Sequence, residues 1–142
     1  MNPPTATQLV APPPLTLDEG RVLRNFLGKT QQQAQAMFPR DSTVTEDFTY
    51  MTPAGLCYYL PPALAYLASP EAQGDWDFAH GLMCALSTQA GLHHVRGEAL
   101  HLIQQIAEYC ATQRPKFILT EEDELFDRYL DTIRRAVEEG KA

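Results

Sequence analysis

Apolar residues along this chain recur at spacings of three and four, which places them on one face of a helix, and no stretch alternates for long as a strand does. Five segments carry such stripes: Val22, Leu23, Phe26 and Leu27; Leu56, Tyr59, Leu60, Ala63, Leu64 and Leu67; Ala79, Leu82, Met83, Leu86 and Ala90; Leu102, Ile103, Ile106 and Cys110; and Phe126, Tyr129, Leu130, Ile133 and Val137. A shorter helix carries Ala34, Met37 and Phe38 and stops at Pro39. Start signals agree with the stripes. Thr16 with Glu19 and Thr30 with Gln33 form Thr-x-x-Glu/Gln capping boxes, Thr52-Pro53 pairs a cap with proline at the first helical position, and Asp75 and Thr120 precede later helices. The fold class that follows is all-α, an irregular bundle of about six helices joined by short loops.

Proline adjusts this picture in two places. Residues 1–15 hold five of the eleven prolines, including Pro12-Pro13-Pro14, and no charged side chain, so they read as a disordered Pro-rich tail ahead of a single helical domain at 16–142. Within the second stripe, Pro61-Pro62 leaves either one kinked helix or two that abut, and we place a break at Leu60. Arg40 to Tyr50, polar and rich in Thr and acidic residues, is expected to be a connecting loop.

Composition narrows the function. A net charge of −7 and a pI near 4.9 oppose nucleic-acid binding, which needs a basic patch; the same acidity would speed encounter with a basic protein partner, although solubility alone is the commoner reason for it. The apolar runs fall far short of the roughly 20 residues needed to cross a bilayer, and no signal-peptide pattern opens the chain, so no membrane association and a cytoplasmic location are expected. Cys57, Cys84 and Cys110 fall within helical apolar patterns and read as buried thiols without a disulfide.

Candidate chemistry is sparse. Gly28-Lys29-Thr30 lacks the glycine five positions earlier that a phosphate loop requires, because Leu23 stands there. The acids Glu121, Glu122, Asp123 and Glu124 are what the positive end of a helix attracts. His94, Glu98 and His101 share a helical face at spacings of four and three and form the best metal constellation, yet no second set on another helix completes a dinuclear site. His80 stands alone on its helix. No catalytic residue and no cofactor are therefore assigned.

Tyr50, Tyr58, Tyr59 and Tyr66 gather around Cys57-Tyr58-Tyr59-Leu60-Pro61-Pro62-Ala63-Leu64. With Glu46-Asp47 before it, Met51-x-Pro53 leading in and Gly74-Asp75 after, this stretch resembles an uncharacterised family of small bacterial proteins, a domain of unknown function marked by a helix running into Tyr-Tyr-Leu-Pro. Pro62 and the Pro-rich tail depart from the family pattern, and the family offers no catalytic residues to transfer. The reading that results is a non-enzymatic protein-binding protein of immunity or adaptor type, with Tyr58 and Tyr66 as partner-binding residues and at least one tyrosine of the Tyr50 to Tyr66 region partly exposed; the structural alternative is that all of these tyrosines finish the core around the proline junction. Its alternatives are a metal-dependent enzyme or metal-binding module built on His94, Glu98 and His101, and a structural subunit of a homo-oligomer.

Overall fold

The structure is a computed structural model that describes residues 2–92, 95–119 and 123–141. Every regular element among them is helical: α1 (Ala6–Leu9), α2 (Leu17–Phe26), α3 (Gln31–Met37), a 3₁₀ segment (Ser42–Tyr50), α4 (Pro53–Ala68), a 3₁₀ turn (Pro70–Ala72), α5 (Trp76–Gly91), α6 (Gly97–Thr112), a 3₁₀ turn (Arg114–Phe117) and α7 (Glu124–Lys141). No described helix is long and apolar enough to cross a membrane.

Local chemistry starts the helices where the sequence indicates. Thr16 Oγ1 accepts from the Glu19 amide at 3.1 Å while the Thr16 amide donates to Glu19 Oε1 at 3.0 Å. Thr30 and Gln33 repeat the exchange at 3.1 and 2.9 Å, and Asp75 Oδ1 accepts from the Phe78 amide at 3.2 Å. The expected cap Thr120, with Glu121 and Glu122, lies outside the described residues. Asp123 takes the capping role, its Oδ1 accepting from the Phe126 amide at 2.9 Å.

Three expectations are corrected. The helix does not break at Leu60: α4 runs unbroken through Pro61 and Pro62. Proline at 62 removes the amide that would bond the Tyr58 carbonyl, and Gln31 Nε2 from α3 supplies a donor to that carbonyl at 2.8 Å. A neighbouring helix thus satisfies the acceptor that the proline orphans.

Residues 42–50 are a 3₁₀ helix rather than a loop, with Val44, Thr45, Asp47 and Phe48 buried. Runs this long are uncommon for so tight a helix, and side chains from elsewhere support it. From α2, Arg21 Nε donates to Asp47 Oδ1 at 3.0 Å and Asn25 Nδ2 to Asp47 Oδ2 at 2.7 Å. From α5, Gln89 Nε2 lies 2.8 to 2.9 Å from the carbonyls of Phe48, Thr49 and Met51. The segment presses close to α5 at Gly81, where a Cβ would stand 2.5 Å from Thr45 Oγ1.

The Pro-rich segment is not a loose tail throughout. Leu9 and Val10 are buried in the core, and the Thr52 amide at the start of α4 donates to the Leu9 carbonyl at 2.9 Å. Three buried apolar residues, Pro4, Leu9 and Val10, and a few backbone bonds suffice to dock it, without the charged residues or long periodicity that mark a helix in sequence. Pro12, Pro13 and Pro14 remain exposed.

An aromatic cluster forms the centre of the core. Phe26 meets Phe48 edge-on at 5.5 Å and Tyr59 at 4.9 Å, Phe38 lies 5.0 Å from Phe78, and Tyr66 meets Phe78 edge-on at 4.9 Å. Tilted and edge-on contacts of this kind add to the area they bury.

Candidate functional site

The tyrosines proposed as a contact surface belong to that core. Tyr58 is 5% and Tyr66 2% exposed, which places both in the core, whereas Tyr50 at the end of the 3₁₀ segment is 39% exposed. Helix α4 packs against α1, α3 and α6, which leaves its flanks little access to solvent. Tyr66 donates its hydroxyl to the Asp75 carboxylate, tying the end of α4 to the cap of α5. Burial, that hydrogen bond and the nearby negative charge together push its phenol far up. Tyr59 places its hydroxyl 2.7 Å from the Phe26 carbonyl and 2.8 Å from that of Lys29, and burial pushes its phenol up to about 12.

The metal constellation is not assembled among the described residues. His94 lies outside them, and Glu98 and His101, both exposed near the start of α6, face different clefts. Glu98 borders a cleft with Pro4, Cys57 and Tyr58, whereas His101 borders one with Gln104 and Gly140. No group of three His, Cys, Asp or Glu side chains suited to a metal ion occurs among the described residues.

Another residue gains a setting the sequence does not reveal. His80 borders a cleft of about 340 Å³ between the 3₁₀ segment, α5 and α7, together with Glu46, Thr49, Asp77, Cys84 and Tyr129. Its ring stacks on Trp76 with centroids 4.4 Å apart and planes 22° from parallel, and meets Tyr129 edge-on at 5.4 Å. Nε2 lies 3.6 Å from Asp123 Oδ2, within ion-pair reach of a protonated imidazole. Asp123 therefore holds the start of α7 with one oxygen and faces His80 with the other. The i, i+4 spacing of Trp76 and His80 is legible in the sequence, but Asp123 and Tyr129 arrive from a helix some fifty residues on.

Three acids, Glu46, Asp77 and Asp123, stand in or beside the cleft with the hydroxyls of Ser42, Thr43 and Thr49. Trp76 is 40% exposed next to it, the connection after the last 3₁₀ turn carries exposed Ile118, and the first turn of α7 carries exposed Leu125. Gly74, just before α5, and Lys116, in that 3₁₀ turn, are joined by an amide-to-carbonyl bond of 2.7 Å.

Cys84, expected to be buried, is exposed on this cleft, because its position on α5 faces the gap beside α7. Burial, with a hydrogen bond to Cys84 second, pushes the Tyr129 phenol up to about 12. A phenol that keeps its proton at neutral pH cannot act as a base for the thiol, so this contact does not activate a nucleophile. Burial raises the Cys57 thiol and pushes that of Cys110 up to about 12.

No family model, curated protein or solved structure matches this chain. The resemblance at Tyr58-Tyr59-Leu60-Pro61 thus rests on the motif and its flanks.

Proposed function

We propose that this chain is a non-enzymatic protein-binding protein of adaptor or immunity type, and that it takes a basic segment of its partner at the cleft beside Trp76 and His80. The supporting observation is the half-exposed indole of Trp76, stacked on His80 at the edge of a cleft bordered by Glu46 and Asp77. A large aromatic whose position is preset by stacking loses little conformational freedom on contact, and tryptophan is over-represented among residues that dominate interface energies. Carboxylates around it attract a lysine or arginine, and an aromatic face adds cation–π attraction. The net charge of −7 speeds encounter with such a partner.

Trp76 is the single tryptophan, so its fluorescence reports on this site alone. Peptides selected from a random display library on the immobilised protein should be enriched in Lys and Arg. They should shift Trp76 emission saturably, and both added salt and Asp77→Asn should weaken them. Selected binders that are not basic, or that leave the emission unchanged, would remove the cleft from this role.

A further inference from the structure

Residues 2–10 form an arm seated on the N-terminal half of α4, with Asn2, Pro4 and Gln8 sharing a cleft with Ala54 and Tyr58 of α4 and Glu98 of α6. Leu9 and Val10 are buried, the Thr52 amide bonds the Leu9 carbonyl at 2.9 Å, and Thr52 Oγ1 donates to the Gln8 carbonyl. Gly55 makes the seat: a Cβ there would stand 2.9 Å from Leu9 Cδ1 and 3.1 Å from the Leu9 carbonyl oxygen. The next long-range tie after the arm is that of Arg21 in α2 to Asp47. Residues 11–17 are all exposed, and they contain Pro12-Pro13-Pro14.

We infer that the arm is exchangeable, and that two copies of this chain form a symmetric dimer in which each arm occupies the other's seat on α4. Nothing in the docking contacts depends on which copy supplies the arm, since the seat belongs to α4 and the arm reaches it through a solvated hinge. Opening that hinge uncovers no buried hinge side chain. Exchange of an identical element between protomers is a low-cost route to a two-fold dimer.

The hinge carries a second, independent sign. Leu15 is 43% and Leu17 94% exposed, two large apolar side chains left in water beside the prolines. In an exchanged dimer the two hinges run past each other, and these leucines gain a partner surface that the monomer lacks. Such newly formed contact, together with hinge conformation, is what separates the exchanged dimer from the monomer, because the arm contacts themselves are the same in both. The dimer uses neither the Trp76 cleft nor the residues around it.

Light scattering on size-exclusion fractions tests this with the full chain. The native protein should show a dimer fraction that rises with concentration. Deleting Pro12, Pro13 and Pro14 shortens the hinge so that the arm reaches its own seat less readily, and should tighten dimerisation at least about tenfold. Leu17→Ser, at a site that packs on nothing in the monomer, should weaken the dimer while leaving the helical circular dichroism and monomer stability unchanged. Gly55→Val in the shortened chain should return it to monomer, with circular dichroism checking that the fold survives. Monomer at every concentration for both the native and shortened chains would overturn the proposal. So would a dimer that persists when Gly55→Val leaves the fold intact, or one indifferent to Leu17→Ser.

Discussion

Helices α4 and α5 are each 16 residues long and each carry several aromatic residues, yet only α5 leaves one of them at the surface. In α4, Tyr58, Tyr59 and Tyr66 are all buried, because α1, α3 and α6 pack around it. In α5, Phe78 is buried, while Trp76 two residues earlier is 40% exposed, because the 3₁₀ segment, α6 and α7 leave one end of the helix open. Aromatic content by itself therefore says little about surface. What decides exposure is which positions of the helix its neighbours cover, and that depends on segments remote in sequence. The polar tips behave accordingly: Tyr59 and Tyr66 hold theirs in internal hydrogen bonds, whereas Trp76 and His80 stack at the edge of an open cleft.

The contrast can be broken most decisively by truncation. Tyr59→Ala or Tyr66→Ala should lower stability to urea denaturation by about 3–5 kcal/mol, as expected for a buried aromatic. A loss below about 1 kcal/mol would mean that α4 is not the enclosed helix described here.

Alkali should strike the same region next. The folded-state values of Tyr59 and Cys110 are raised to about 12, and that of Tyr66 is raised further, above the unfolded values of 10.0 for tyrosine and 9.0 for cysteine. Each contributes stability that is fully present below its unfolded value and is lost as pH rises through the folded one. Thermal unfolding should therefore show Tm falling from about pH 9 toward 12. Tyr59→Phe should flatten part of that decline, and a decline unchanged in Tyr59→Phe, Tyr66→Phe and Cys110→Ala would sink the assignment.

Gln31→Ala sharpens the account of the prolines. It removes the donor to the Tyr58 carbonyl and should cost about 1 kcal/mol, within the range for an unpaired buried acceptor. Gln31→Ala should lose most of that effect where Pro62→Ala has restored the amide, and equal losses in both backgrounds would refute the compensation.

The smallest effects belong to the exposed side of the comparison. Trp76→Ala should change stability by about 1 kcal/mol or less while abolishing the fluorescence response to basic peptides. Arg134→Ala, which breaks an ion pair with Glu108 at 2.7 Å, should cost no more than about 0.5 kcal/mol because both groups are well solvated. A cost for Trp76→Ala equal to that for Tyr66→Ala would erase the distinction between the two helices.

The helices and most of their starts follow from the sequence alone, since a cap bonds an amide three residues away and an apolar stripe needs only its own periodicity. Thr16, Thr30, Thr52 and Asp75 cap as their neighbours imply. The 3₁₀ segment, the continuity of α4 and the docked arm depend on partners at a distance: Asp47 on Arg21 and Asn25, the Tyr58 carbonyl on Gln31, and Leu9 on the gap at Gly55. The Trp76 cleft has the same origin, because Asp123 and Tyr129 reach His80 only when α7 lies against α5. Helical periodicity and capping operate within a few residues and so can be read along the chain. Burial, pairing of remote polar groups and the opening of a cleft are properties of packed neighbours, and only the tertiary structure decides them.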